Sequence, residues 1–342
     1  MKPLVSILIP AYNAEQWLGD TLRSALGQTW DRKQIIVVND GSKDGTERVA
    51  QEFKSSGVMV YTQKNQGAAA ARNKAFSLCD GDYIQWLDAD DLLNPEKVSR
   101  QLQLAQELNN KRILISGEWA RFIYRPNSAR FIPSSLWCDL SPTEWMIRKM
   151  EQNIYMQTAT WLVSRELTEA AGPWDTCLLA DDDGEYFSRV LLASEGVRFV
   201  PIAKVFYRDS GPSSLSYIGQ SDRQLESQWL SMQMHIRYLR SRDDGERARA
   251  ACIQYLQDWS GGFYPQRMDL FKEVTAMASR LGGTVTTPRL SWKYAWIRAT
   301  FGWSAARRTQ LRLSLLRWSA IRAWDRALSK TSSGRQQADI PV

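Results

Sequence analysis

From Leu4 to Leu87 the chain alternates short apolar runs with amphipathic helical stretches, and few folds accommodate that pattern. Leu4 to Ile9 is an apolar run closed by Pro10, as expected of a strand buried on both faces. Residues 14–28 carry Trp17, Leu18, Thr21, Leu22, Ala25 and Leu26 at helical spacing. Gln34 to Val38, Val58 to Tyr61 and Tyr83 to Leu87 repeat the strand pattern. Between them, Asp44 with Glu47 reads as the start of a helix reaching about Lys54, and Gly67 to Leu78 reads as an Ala-rich helix. Strand–helix–strand repetition implies an α/β fold: a mostly parallel central sheet with right-handed crossovers and flanking helices.

Ligands of such sheets bind beyond the carboxyl ends of the strands. Polar clusters fall at those ends: Tyr12-Asn13, Asn39-Asp40, Gln63 to Gln66 leading to Arg72, and Asp88-Ala89-Asp90-Asp91. All are expected to converge on one crevice. On an extended segment Asp88 and Asp90 would face the same side. Two or three carboxylates with no His or Cys beside them suit a hard cation such as Mg²⁺ or Mn²⁺. The competing reading is a loop with a helix cap, a role given to Asn94. Asp40 can accept from a base N–H or a ribose hydroxyl, or simply serve its turn. Arg72 can donate to a ligand, or be an ordinary solvated helix Arg. Tyr12 can stack on a base or merely pack.

Taken in order, Pro10-Ala11-Tyr12-Asn13, Val38 to Ser42 with Asp44-Gly45-Thr46, Asn65 to Asn73, Gly81 to Ile84 and Leu87 to Asp91 resemble the inverting family 2 glycosyltransferases with the A-type nucleotide-sugar fold. The resemblance is dense over residues 3–100 and looser to about 216. It implies that Pro10, Tyr12, Asp40 and Arg72 hold the nucleotide base, with Asn13 and Ala89 also in the nucleotide site. Asp88 would contact ribose or metal, and Asp90 would bind the Mn²⁺ or Mg²⁺ that bridges the diphosphate of a nucleotide diphosphate sugar. Leu179 to Arg189 resembles the family's acidic element ahead of a helix. It implies Asp183 as the base that deprotonates an acceptor hydroxyl, with Asp182 as acceptor-binding partner. The competing reading is acids that favour a helix N-terminus. Many relatives carry a His after the next strand. This chain has Asp209 to Ser216 there, leaving Arg208 or Ser214 for diphosphate contacts and a Ser/Gly-rich loop as a lid.

The implied organisation is a catalytic domain over 1–216, with a nucleotide-binding half (1–100) and an acceptor half (101–216). A helical extension (217–283), a basic amphipathic tail (284–330) and a disordered end (331–342) follow. Net charge is +7, yet residues 284–342 alone carry +9 and the body −2. Along 311–330, Leu313, Leu316, Ala320, Ile321, Ala323, Trp324, Ala327 and Leu328 share one helical face, with Arg312, Ser319, Arg322, Arg326 and Lys330 opposite. Such a helix either lies on an anionic membrane surface or packs its apolar face on the protein. The tail shows no signature of nucleic-acid recognition.

The lone His235 excludes multi-His catalysis and reads as structural, and four scattered cysteines exclude a disulfide framework. The start reads as a strand, not a cleaved leader, and no stretch is long enough to span a membrane. A cytoplasmic enzyme, peripheral on the inner face of the cell membrane, is the expected setting. Its acceptor is a surface polysaccharide or lipid-linked glycan, and its donor most plausibly UDP-linked. A non-catalytic glycan-binding or scaffold module is the alternative.

Overall fold

The computed structural model describes residues 2–211, 221–288 and 290–332. Its strands are β1 (Val5–Ala11), β2 (Lys33–Asn39), β3 (Val58–Thr62), β4 (Tyr83–Trp86), β5 (Leu92–Leu93), β6 (Ile113–Phe122), β7 (Val163–Ser164) and β8 (Gly196–Arg208). The helices are α1 (Leu18–Leu26), α2 (Thr46–Glu52), α3 (Ala68–Ser77), α4 (Lys97–Leu108), α5 (Pro142–Gln152), α6 (Arg165–Ala171) and α7 (Asp182–Ala193). They continue with α8 (Asp222–Arg242), α9 (Glu246–Phe263), α10 (Met268–Arg280) and α11 (Ala295–Ser332), the last broken at Gly302.

The main sheet has the order β3-β2-β1-β4-β7. Its first four strands run parallel, as the repetition requires, and β7 is antiparallel to β4. A smaller sheet, β5-β8-β6, abuts it. β1 is buried almost throughout, which explains its unbroken apolar character. α1 buries Leu18, Thr21, Leu22 and Ala25, the spacing of one helical face.

Residues 217–283 do not form a separate unit in the described structure. Leu225, Trp229 and Met232 of α8 and Tyr255 and Phe263 of α9 share one core with Leu8, Ile84 and Trp86 of the main sheet. Helical periodicity alone cannot reveal this, because an apolar face does not name its partner.

The tail matches neither an ordinary packed helix nor a detached one. Its contacts with the body are polar: Asp325 is buried, accepting from the Tyr124 N–H at 2.9 Å and pairing with Arg125 at 2.7 Å. Its apolar residues face outward, with Leu316 66% and Trp324 68% exposed. Packing of the apolar face on the protein is therefore corrected: polar contacts hold this helix. Among the described residues no helix is long and apolar enough to cross a membrane. Of the end expected to be disordered, Thr331 and Ser332 belong to α11, and 333–342 lie outside the described residues.

Candidate active site

The crevice forms where the loops after β1, β2 and β4 meet the start of α7. Asn13 and Ser42 cross-link the first two loops. The Asn13 N–H donates to Ser42 Oγ at 3.0 Å, and Asn13 Oδ1 accepts from the Lys43 N–H at 2.9 Å. Asn13 holds a positive φ of 49°, a conformation Asn tolerates well. Tyr12 beside it is 46% exposed, and Pro10 is half-buried. Asp40 is buried and accepts three hydrogen bonds: from Gln63 Nε2 at 2.8 Å, the Gln66 N–H at 2.9 Å and the Gly67 N–H at 2.8 Å. It thus fixes the loop that launches α3, and a carboxylate's four acceptor sites leave one for a ligand.

Arg72 on α3 is buried, not solvated. Its Nη2 donates to Asp88 at 2.8 Å and its Nη1 to Asp182 at 2.7 Å. Its guanidinium lies 4.4 Å from the ring of Trp174, which stacks on Tyr186 at 4.0 Å, with Trp86 edge-on to both. Burial works against the Arg72 charge. Asp182 and Asp88 outweigh it and hold the pKa above its ordinary value. Burial, opposed by Arg72 and reinforced by Asp183 and Asp88, pushes the Asp182 carboxyl up to about 6. One guanidinium thus ties the loop after β4 to the N-terminus of α7, itself 110 residues from Arg72 in sequence.

Asp88 to Asp91 is not extended. The Asp91 N–H closes a turn onto the Asp88 carbonyl at 3.1 Å, so residue alternation does not set the side-chain directions. Asp88 points to Arg72 and the carbonyl of Ala89 accepts from Thr21 Oγ1 at 3.0 Å. Asp91 is fully buried, held by Gln157 Nε2 and by the Arg208 N–H at 2.8 Å. Asp90 is half-buried, and burial with the adjacent Asp88 charge pushes its carboxyl up to about 6. Asn94 caps the turn into α4, accepting from the Glu96 N–H at 3.1 Å.

No three His, Cys, Asp or Glu side chains among the described residues come together as a cation cage. A hard cation that draws most of its shell from diphosphate and water needs only one or two carboxylates. Asp90, whose charge is disfavoured as it stands, and its neighbour Asp88 fit that requirement.

Asp183 begins α7. Its carboxylate accepts from Thr158 Oγ1 at 3.2 Å and from the Gly184 N–H at 2.9 Å. Thr158 and Gln157 belong to a short turn anchored from below. Gln85 Nε2 donates to the Ala159 carbonyl at 2.8 Å and Gln101 Nε2 to the Thr160 carbonyl at 2.8 Å. The buried Lys97 donates to Gln85 Oε1. Neither Thr158 nor Gln157 has a signature in the sequence, since their roles depend on a turn packing against another strand.

Arg208 does not present its guanidinium as a diphosphate contact. It is 3% exposed, lies 4.3 Å from the Trp17 ring, and donates to the Asp90 carbonyl at 2.7 Å and to Asp20 at 3.4 Å. Ser214 and the rest of the expected lid beyond Gly211 lie outside the described residues. His235 is buried and bonds Tyr255 at 3.0 Å, a structural role.

Comparisons with known proteins follow the same lines. The family model for glycosyl transferase family 2 matches residues 6–168. An uncharacterized glycosyltransferase of Rickettsia conorii is 38% identical over 131 residues, 38% of this chain and 22% of that protein. TuaG of Bacillus subtilis, provisionally named a teichuronic acid biosynthesis glycosyltransferase, is 39% identical over 109 residues, 31% of this chain and 43% of that protein. The matched stretches therefore span less than half of either relative. Among solved structures, S. aureus TarS 1–349 in complex with UDP-GlcNAc aligns with TM-score 0.63 at 16% identity, covering 81% of each chain. The mannosyltransferase PcManGT from Pyrobaculum calidifontis in complex with GDP-Man and Mn²⁺ aligns with TM-score 0.53 at 16% identity, covering 99% of this chain and 89% of that one. Residues 6–168 thus match the glycosyl transferase family 2 model, and the fold of the chain is that of the A-type transferases among the solved structures.

Proposed function

We propose that this protein transfers a sugar from a nucleoside diphosphate sugar, UDP-linked, to a hydroxyl of a surface polysaccharide or lipid-linked glycan, inverting the anomeric centre. The reading rests above all on the Arg72 bridge. It joins the carboxylate of a nucleotide-side loop, Asp88, to that of an acceptor-side helix, Asp182, at 2.8 and 2.7 Å. Pro10, Tyr12, Asn13 and the remaining acceptor site of Asp40 receive the base. Arg72 acts beneath that site, holding Asp88 in place, and Asp88 and Ala89 border the ribose. Mn²⁺ or Mg²⁺ held by Asp90 and Asp88 would neutralise charge on the departing diphosphate. Asp183, oriented by Thr158, takes the proton from the acceptor hydroxyl as its oxygen attacks the face opposite the leaving group. Asp182 orients that acceptor.

The outward apolar face of α11, bordered by arginines, supports attachment to an anionic membrane surface, which would bring lipid-linked acceptors to the site from the cytoplasmic side. Titration of the full-length chain with UDP and with GDP, each with and without Mn²⁺, tests the donor assignment. Mn²⁺-dependent binding of one nucleotide supports it. Binding of neither refutes it and leaves a non-catalytic module.

A further inference from the structure

The inner face of α11 meets the donor end of the site. Arg322 Nη1 donates to the Ser210 carbonyl, and its Nε to the Tyr124 hydroxyl at 3.3 Å. Trp318 Nε1 donates to Asp209 at 3.1 Å. Asp325 fixes Tyr124 and Arg125 from the same side. These contacts fall on the two segments that leave β6 and β8, and both lead to the carboxylates. The Tyr124 ring packs 5.5 Å from Trp17, against which Arg208 also lies. Arg208 in turn holds the Asp90 carbonyl and, through its N–H, Asp91. The Ser210 hydroxyl faces the Asp90 carboxylate itself.

Gly211 is an independent sign that this approach is built in. It adopts a φ of +107°, which disfavours any L side chain. A Cβ there would lie 2.2 Å from Arg322 Nη1 and 3.3 Å from Trp318. The arginine tip can yield, but the backbone conformation cannot be recovered as easily. α11 lies outside the segment that the family model matches.

We propose that Trp318, Arg322 and Asp325 are positioning residues for the metal–diphosphate end of the site: α11 straps the 208–211 segment against Asp90. The proposal rests on the nucleotide-sugar reading above and adds a structural link between the helix that faces outward and the donor carboxylates.

Calorimetric titration of the full-length protein with UDP, with and without Mn²⁺, tests it, with GDP in its place if GDP is what the protein binds. Arg322→Ala and Gly211→Ala are expected to weaken Mn²⁺-dependent nucleotide affinity roughly tenfold, as losses of outer partners of a metal site do. Binding without Mn²⁺ is expected to change less than twofold. Trp318→Phe keeps the packing, removes the donor to Asp209 and gives a smaller loss of the same kind, which covers the case that Arg322→Ala does not fold. Arg322→Lys is expected to recover part of the affinity through the Ser210 carbonyl. Ser319→Ala, exposed on the same helix, is expected to match wild type. Wild-type Mn²⁺-dependent affinity in folded Arg322→Ala, Gly211→Ala and Trp318→Phe overturns the strap. A wild-type protein that binds neither UDP nor GDP overturns the nucleotide reading itself and the strap with it.

Discussion

Replacing Asp90 by Asn is expected to make the protein more stable while abolishing its metal-dependent chemistry. The carboxyl is raised from 3.8 to about 6, first by burial and then by the Asp88 charge. At about 1.4 kcal/mol per pH unit, holding that charge costs at most about 3 kcal/mol. Partial exposure lowers this to roughly 1–3 kcal/mol, or about 2–6 °C in Tm for a chain of this size. The sign follows from proton uptake. Between pH 3.8 and about 6 the folded protein binds more protons than the unfolded chain, so wild-type stability falls as pH rises through that window. The penalty is complete above about 6 and absent below 3.8. Thermal unfolding of wild type and Asp90→Asn across pH 4–8 is therefore expected to show curves that coincide at the acid end and separate toward neutrality, the variant being the more stable. Mn²⁺ at saturating nucleotide is expected to raise the Tm of wild type and leave that of Asp90→Asn unmoved. A variant less stable than wild type at pH 7.5, or a gap independent of pH, refutes the reasoning that Asp90 is an uncompensated charge awaiting a cation.

Other substitutions separate the remaining roles. Asp183→Asn is expected to bind donor within about twofold of wild type and lose transfer by 10²-fold or more, since it removes a general base; near-normal turnover removes it from that role. Arg72→Met leaves the half-buried Asp88 and Asp182 without their partner and is expected to cost roughly 3 kcal/mol in urea unfolding, a cost that a neutral effect would contradict. Mn²⁺-dependent UDP affinity is expected to fall about tenfold per pH unit below about 6 as Asp90 takes up its proton, followed by calorimetry; a flat profile to pH 5 excludes Asp90 as ligand. Leu316→Ser with Trp324→Ser is expected to reduce flotation with anionic vesicles at least tenfold without changing flotation with neutral ones.

The first four strands and the helices between them were legible because each carries its own periodicity and because a parallel sheet leaves little choice of connection. The grouping of Asp40, Arg72 and Asp88 near one crevice was expected from strand polarity, and Asp182 joined them only through the family resemblance. What each side chain touches did not. Arg72 was expected to hold the base; its burial between Asp88, Asp182 and the Trp174 ring was not legible, because the aromatic stack of Trp174 on Tyr186 has no local signature. The turn at Asp88 overrode the alternation of an extended segment, and Arg208, read as a phosphate contact, is a buried brace. Thr158 and Gln157 matter through a turn held by Gln85 and Gln101, 74 and 59 positions from the carbonyls they bond, with Lys97 behind Gln85. The amphipathic pattern at 311–330 was legible, while its orientation depended on Asp325 and Arg322 finding partners some 200 and 112 residues earlier.

The most direct measurement is the release of nucleoside diphosphate from a panel of UDP- and GDP-sugars incubated with the full-length protein and Mn²⁺, alongside Asp90→Asn and Asp183→Asn. On the proposed reading, the protein is expected to bind at least one donor with Mn²⁺ and to release its nucleoside diphosphate, slowly in water and faster with an acceptor. Asp90→Asn should fail to bind, and Asp183→Asn should bind without turning over. Absence of binding to every donor, or equal release by wild type and both variants, contradicts the assignment of these carboxylates to donor and acceptor.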